Sequence, residues 1–215
     1  MPRVYLKTKS ARGKVYNCRA CGEPITEGQQ FYQWSRRFGR SGMTYFKHAA
    51  CGRPRPTELS SRKTAVLEEA VTDASPTIEQ WAPAMPDDIT AEDAWAVACD
   101  TSDLKEALEA VADVAEEIGQ EYQDGYDNMP EGLNQGDTAM AMEDVAQRLD
   151  EWASELRDWE PDEEHPELPE RDEYVVGDEG DQLWRDDCEA AFDQWVENTR
   201  TEASEAISEW PEYEG

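Results

Sequence analysis

The sequence predicts a mainly α protein that begins with a small β-rich module and continues as an acidic helical region containing an α-hairpin. Three observations lead there. Cysteine and histidine fall into two close pairs, Cys18-x-x-Cys21 and His48-x-x-Cys51, around a stretch rich in aromatics and glycine. The charge changes sign near residue 63: residues 1–63 carry fourteen Lys and Arg against Glu23, Glu27 and Glu58, a net of +11, whereas residues 64–215 carry six against 47 Asp and Glu, a net of −41. Beyond residue 100, apolar residues recur at alternating spacings of three and four, the seam of paired helices.

In the basic module, Val4, Tyr5 and Leu6 suit a short strand. Cys18 to Gly22 reads as a knuckle in which Gly22 supplies a positive backbone angle. Glu23 to Gly28 is expected to turn, Phe31 to Trp34 to form a strand, Phe38 to Gly42 to be a loop, and Met43 to Lys47 to return as a second strand. A short turn or helix at His48 to Cys51 is cut off by Gly52, Pro54 and Pro56.

The remainder divides into a short helix and Pro-rich linker (64–89), a helical hairpin (90–160), an acidic linker (161–180) and a C-terminal helix (181–215). In the first part Thr64 to Ala74 is the helix, and Ser75 to Asp88, with three prolines, is the linker, anchored by Trp81. A helix from Thr90 to Cys99 precedes the longer pair. One seam runs Leu104, Leu108, Val111, Ala115, Ile118, Tyr122; the other runs Met142, Val145, Leu149, Trp152, Leu156, Trp159. The seams suit an intramolecular antiparallel hairpin across the loop Asp127 to Gly136, or an intermolecular parallel coil, so a monomer and a coiled-coil dimer both remain open. Leu183, Trp184, Cys188, Ala191, Phe192, Trp195 and Val196 form the last stripe. Leu, Ile, Val and Phe number only 30 of 215 residues, yet seven tryptophans follow residue 63, which predicts ordered helices around a narrow core.

Cys18, Cys21, His48 and Cys51 are expected to bind one zinc ion. Three thiolates and an imidazole complete a tetrahedral site with no position left for water, so the ion is structural. A redox role for Cys-x-x-Cys would call for a βαβ context that the sequence lacks. Cys99 and Cys188 stand alone in helical sequence and read as small core residues. Five cysteines cannot all pair, and no leader-like segment opens the chain, so a reducing cytoplasm is expected. No apolar run approaches the roughly 18 residues of a membrane span. His165, between Glu164 and Pro166, reads as a solvated loop histidine.

The pattern Cys18-x-x-Cys21, Ile25, Gly28, an aromatic stretch, a Gly-containing loop and Phe46-x-His48-x-x-Cys51 resembles the PARP-type zinc finger, found in poly(ADP-ribose) polymerases and a eukaryotic DNA ligase. The basic run from Lys7 to Lys14 fits it as well. The resemblance covers residues 3–52 and implies zinc ligation and, in that family, recognition of DNA breaks. The spacer is shorter than in the animal enzymes, Phe31 stands where the family often has a basic residue, and acidic helices rather than a polymerase or ligase domain follow. What carries over is the ligand set, not the break-reading surface. The acidic helices, with Asp127-Asn-Met-Pro-Glu-Gly, are similar to those of uncharacterised small phage and mobile-element proteins, which would place the chain in a host cytoplasm.

The charge pattern points to a nucleic-acid-associated protein, DNA being favoured, with Lys14, Arg19, Arg36, Arg37 and Arg40 on phosphates and Trp34 either stacking on bases or lying in the module's own core. The acidic region is then the part that binds a protein partner. The alternative is that the acidic region mimics DNA and inhibits a host DNA-binding protein, or acts as an adaptor, although dense charge is also simply how helices stay solvated. The sequence has no Gly-rich phosphate loop, no nucleophile–histidine arrangement and no open metal site, so a non-enzymatic role is expected.

Overall fold

A computed structural model describes residues 3–10, 14–38, 41–60, 62–90, 92–130, 136–171 and 177–211, with the side chains of 36–38, 41–42, 92–93 and 178 outside the description. The chain divides after Glu69 into two compact units.

The first unit is built on a three-stranded antiparallel sheet. β1 (Tyr5–Thr8) and β5 (Ser41–His48) flank β4 (Gln30–Phe38), with Tyr5 opposite Gln33, Phe31 opposite His48 and Trp34 opposite Tyr45. A two-stranded ribbon, β2 (Tyr16–Asn17) with β3 (Pro24–Ile25), brackets the Cys18–Cys21 knuckle. β3 lies inside the segment expected to turn. It pairs because Ile25, 2% exposed, belongs to the core with Cys18 and Phe31. Period-two alternation gives the sheet two faces. Phe31, Phe46 and His48 share one, where Tyr16 stacks on Phe46 at 4.0 Å. Trp34, Tyr45 and Lys47 share the other. There the Trp34 indole N–H donates to the Glu58 carbonyl at 3.0 Å and Lys47 meets the Glu58 carboxylate at 2.8 Å. Glu58 belongs to α1 (Pro56–Leu59), which starts at a proline expected only to stop structure. At the first helical position a missing N–H costs nothing.

α2 (Lys63–Gln80) shortens the linker expected from Ser75: the helix runs on through Pro76, and the irregular stretch begins only at Trp81. A mid-helix proline costs about 3 kcal/mol. Burial of Ala74 before the proline and of Ile78 and Trp81 after it opposes that cost, and the Ser75 hydroxyl donates to the Val71 carbonyl at 2.7 Å beside the break. Trp81 is the anchor expected, edge-on to Trp195 at 5.7 Å.

In the second unit α3 (Glu92–Ala98) leads to α4 (Ser102–Asp127) and α5 (Asp137–Arg157). Lys105 meets Glu160, Arg157 meets Asp113 and Glu116, and Gly119 abuts Ala146 and Leu149, so the two helices run antiparallel within one chain. The centre of the expected loop, 131–135, lies outside the described residues. Leu104, Leu108, Val111, Ala115 and Ile118 are buried as the seam requires; Tyr122 is half-buried. On α5 the seam differs from the expected one. Leu149 and Leu156 hold their places, but the positions alternating with them are Ala139, Ala146 and Ala153, all buried at seven-residue intervals, while Val145 is half-buried and Trp159 falls beyond the helix. Small residues let the backbones approach, and a Cβ at Gly119 would sit 3.3 Å from the Ala146 carbonyl oxygen. Trp152 points elsewhere: its N–H donates to the Ala206 carbonyl of α6 (Asp178–Ser208) at 3.1 Å.

α6 buries Cys188, Phe192, Trp195, Thr199, Ala203 and Ile207, whereas Leu183 from the expected stripe is 55% exposed. The acidic connector ahead of it is pinned along the helix. Trp195 and Trp184 donate to the carbonyls of Glu163 and Pro169 at 2.7 and 3.0 Å, and Glu202 accepts the Asp162 N–H at 3.0 Å. His165 is exposed, as expected of a loop histidine.

Leu149→Asp is expected to cost several kcal/mol, roughly the scale of an unpaired charge in a core. Gly119→Val is expected to cost about 1–3 kcal/mol, because the obstructing atom is backbone that cannot turn aside. Urea titrations of the helical signal check both; parent-like midpoints would mean that the α4–α5 seam is not closed.

Candidate metal centre

The four residues are delivered by two elements that the local sequence shapes separately. The first is the knuckle after β2. The Gly22 N–H closes it on the Cys18 carbonyl at 2.9 Å, and Gly22 has φ 76°, the left-handed value expected of it. The second is the end of β5, where His48 is the last strand residue and the single 3₁₀ turn Ala49–Cys51 brings Cys51 back beside it. Gly52, at φ 83°, ends that turn. The Arg19 N–H donates to the Phe46 carbonyl at 2.8 Å and holds the knuckle against β5.

One ligand atom from each of Cys18, Cys21, His48 and Cys51 lies within 4.8 Å of the others. Cys18 Sγ and Cys51 Sγ are 3.9 Å apart, and Cys21 Sγ and His48 Nδ1 are 3.4 Å apart. A tetrahedral zinc ion with bonds of about 2.3 Å to sulfur and about 2.0–2.1 Å to nitrogen has edges of about 3.8 Å between sulfurs and about 3.5 Å from sulfur to nitrogen. The donor set and spacing therefore fit such an ion, and among the described residues this is the one cluster of His, Cys, Asp or Glu able to hold a metal.

The electrostatics suit a cation as well. Burial pushes the Cys18 thiol up, but the N–H groups of Cys21, His48 and Ala20 aimed at its sulfur outweigh burial and bring it down to about 6. The His48 N–H is 3.3 Å from that sulfur. Cys51 is pushed up to about 11 by burial and by the neighbouring sulfurs of Cys21 and Cys18.

His48 carries a further contact that the sequence did not signal. Its Nε2 lies 3.2 Å from Gln29 Oε1, which also accepts the Thr26 N–H at 2.7 Å. A glutamine in a turn has no pattern that marks it as a partner of a histidine 19 residues away.

The residues expected to contact nucleic acid fare differently. Lys14 and Arg19 are exposed, and the Arg19 guanidinium lies 4.5 Å above the Tyr45 ring. Arg36 and Arg37 pair with Met43 and Gly42 in the β4–β5 register; their side chains, and all of Arg40, lie outside the described residues. Trp34 is 1% exposed with its N–H engaged by Glu58, which leaves no ring face for a base; it is core, because so small a module has few other large side chains to bury. Two lysines counted towards the basic charge, Lys9 and Lys47, are buried as well. Among the described residues no helix is long and apolar enough to cross a membrane.

Comparisons with known protein families, with curated proteins and with solved structures give no match to this chain. The assignment of the centre rests on its own geometry, which makes a direct prediction. Chelation, or Cys18→Ser with Cys51→Ser, is expected to unfold the first unit while most of the helical circular dichroism survives, since α3 to α6 belong to the second unit and none of the four ligands does. Near-ultraviolet signals from Tyr16 and Trp34 that stay unchanged on chelation would contradict this.

Proposed function

We propose that residues 1–63 are a zinc-bound, non-enzymatic head that associates with nucleic acid, DNA ends or single strands above all, and that the acidic helical body binds a protein partner. The observation that carries this reading is the cluster of Cys18, Cys21, His48 and Cys51, with ligand atoms within 4.8 Å of one another, inside a module of net charge +11. A closed site of three sulfurs and one nitrogen stabilises structure and leaves no coordination position for a substrate, so what the head displays is its function. Among the described side chains it displays the exposed cations Lys14 and Arg19, and the sequence places Arg36, Arg37 and Arg40 close together. With Trp34 buried, phosphate contact rather than base stacking dominates, and affinity is then steeply salt-dependent.

A second reading makes the body the working part. Its 47 carboxylates against six cations resemble the charge density of a duplex and suit the groove of a DNA-binding protein.

One salt titration separates these readings. Zinc-loaded full-length protein and residues 1–69 are titrated with labelled single-stranded and blunt duplex DNA. The head reading predicts binding at low salt that is stronger for the shorter chain and falls by a log–log slope of about 0.7–0.9 per phosphate contact. It also predicts loss of binding in Arg36→Glu with Arg37→Glu. No binding by either chain at low salt overturns it; a DNA-binding protein that co-purifies undiminished with the double variant favours the body.

A further inference from the structure

We infer that Gln29 is a positioning residue for the metal: its side-chain oxygen holds His48 in the tautomer that turns the Nδ1 lone pair towards the ion. The inference rests on the zinc reading above. A neutral imidazole has one N–H donor and one acceptor nitrogen, and only the acceptor can bind a metal. Nδ1 faces the ligand cluster, 3.4 Å from Cys21 Sγ, and Nε2 faces Gln29 Oε1 at 3.2 Å. The orientation of the Gln29 amide is set independently of the histidine. The Thr26 N–H, 2.7 Å away, requires an acceptor, so the atom presented there is the oxygen. That oxygen can only accept from His48, which puts the proton on Nε2 and leaves Nδ1 free to coordinate.

The backbone prepares this arrangement. Gly28, at φ 81°, turns the chain, and the Gln29 N–H closes the turn on the Thr26 carbonyl at 3.2 Å. Lys9 and the turn then exchange two hydrogen bonds of 2.9 Å, Lys9 N–H to the Gln29 carbonyl and Gly28 N–H to the Lys9 carbonyl. These bonds anchor Gln29 at the end of β1, beside the histidine it serves. The Gln29 side chain is exposed, so its replacement removes no core packing. Partners that orient a ligating histidine in this way typically change metal affinity by about 10–100-fold.

The test uses the full-length chain and zinc competition against a chromogenic chelator. Gln29→Leu is expected to weaken zinc by about tenfold or more, and Gln29→Glu, which keeps the acceptor, to stay near the parent. In a His48→Cys background, where no imidazole remains to orient, Gln29→Leu is expected to have little further effect. Parent-like affinity in Gln29→Leu, or an equal loss in the His48→Cys background, overturns the role of Gln29 and leaves the zinc site standing. A parent that takes up no zinc overturns the site and this inference together. Nitrogen-15 spectra of the zinc-loaded parent supply a second reading: a protonated, non-ligating Nε2 is expected, and a zinc-bound Nε2 contradicts it.

Discussion

The acidic body is governed by the repulsion of its own carboxylates. With a net charge of −41 over residues 64–215, almost every helix face must stay in water, and each helix is left one narrow stripe to bury. Two devices make so narrow a core sufficient. The α4–α5 interface uses alanines and Gly119 so that backbones come close and few large side chains are needed. Elsewhere tryptophan supplies large apolar area on few residues. It also carries an N–H, and in Trp95, Trp152, Trp184 and Trp195 that donor reaches a backbone carbonyl of another segment, Ile89, Ala206, Pro169 and Glu163 respectively. Each indole therefore packs and clasps at once. The few cations serve the same end: Lys105 and Arg157 bridge α4 to the end of α5.

The basic head faces the opposite difficulty, too little chain rather than too much charge. Its ligand-side core is Cys18, Ile25 and Phe31 with Tyr16, Phe46 and Cys51 packed against them, so two of the ligands are themselves core residues. A module of this size needs a staple beyond hydrophobic burial. The ligands join the knuckle to the end of β5, two points far apart in sequence, and a metal closing that loop would supply the staple.

Much of this could be read from the residues. The paired spacing of Cys18, Cys21, His48 and Cys51 implied a convergence that the strands deliver, because ligand chemistry constrains geometry more tightly than propensity does. The helical seams were legible where they used Leu, Val and Ile. They were misassigned where alanine and tryptophan competed: hydrophobicity favours Trp152 and Val145, whereas close approach selects Ala146 and Ala153. Pro76 misled because tertiary burial of Ile78 and Trp81 outweighs a local break. Trp34 stayed undecided in the sequence, since whether an aromatic is exposed depends on Glu58, 24 residues on, covering it. Gln29 was invisible for the same reason: its significance lies in a contact across a turn that no spacing rule encodes.

The claim on which the rest of the account depends is a four-coordinate zinc centre built from three sulfurs and one imidazole. X-ray absorption at the zinc edge of the purified full-length protein tests it most directly. The account predicts a first shell of three sulfurs at about 2.3 Å and one nitrogen at about 2.0–2.1 Å, with the outer-ring scattering of a single histidine and no bound water. An oxygen- or nitrogen-dominated shell, or protein that retains no zinc when purified without chelator, would contradict it.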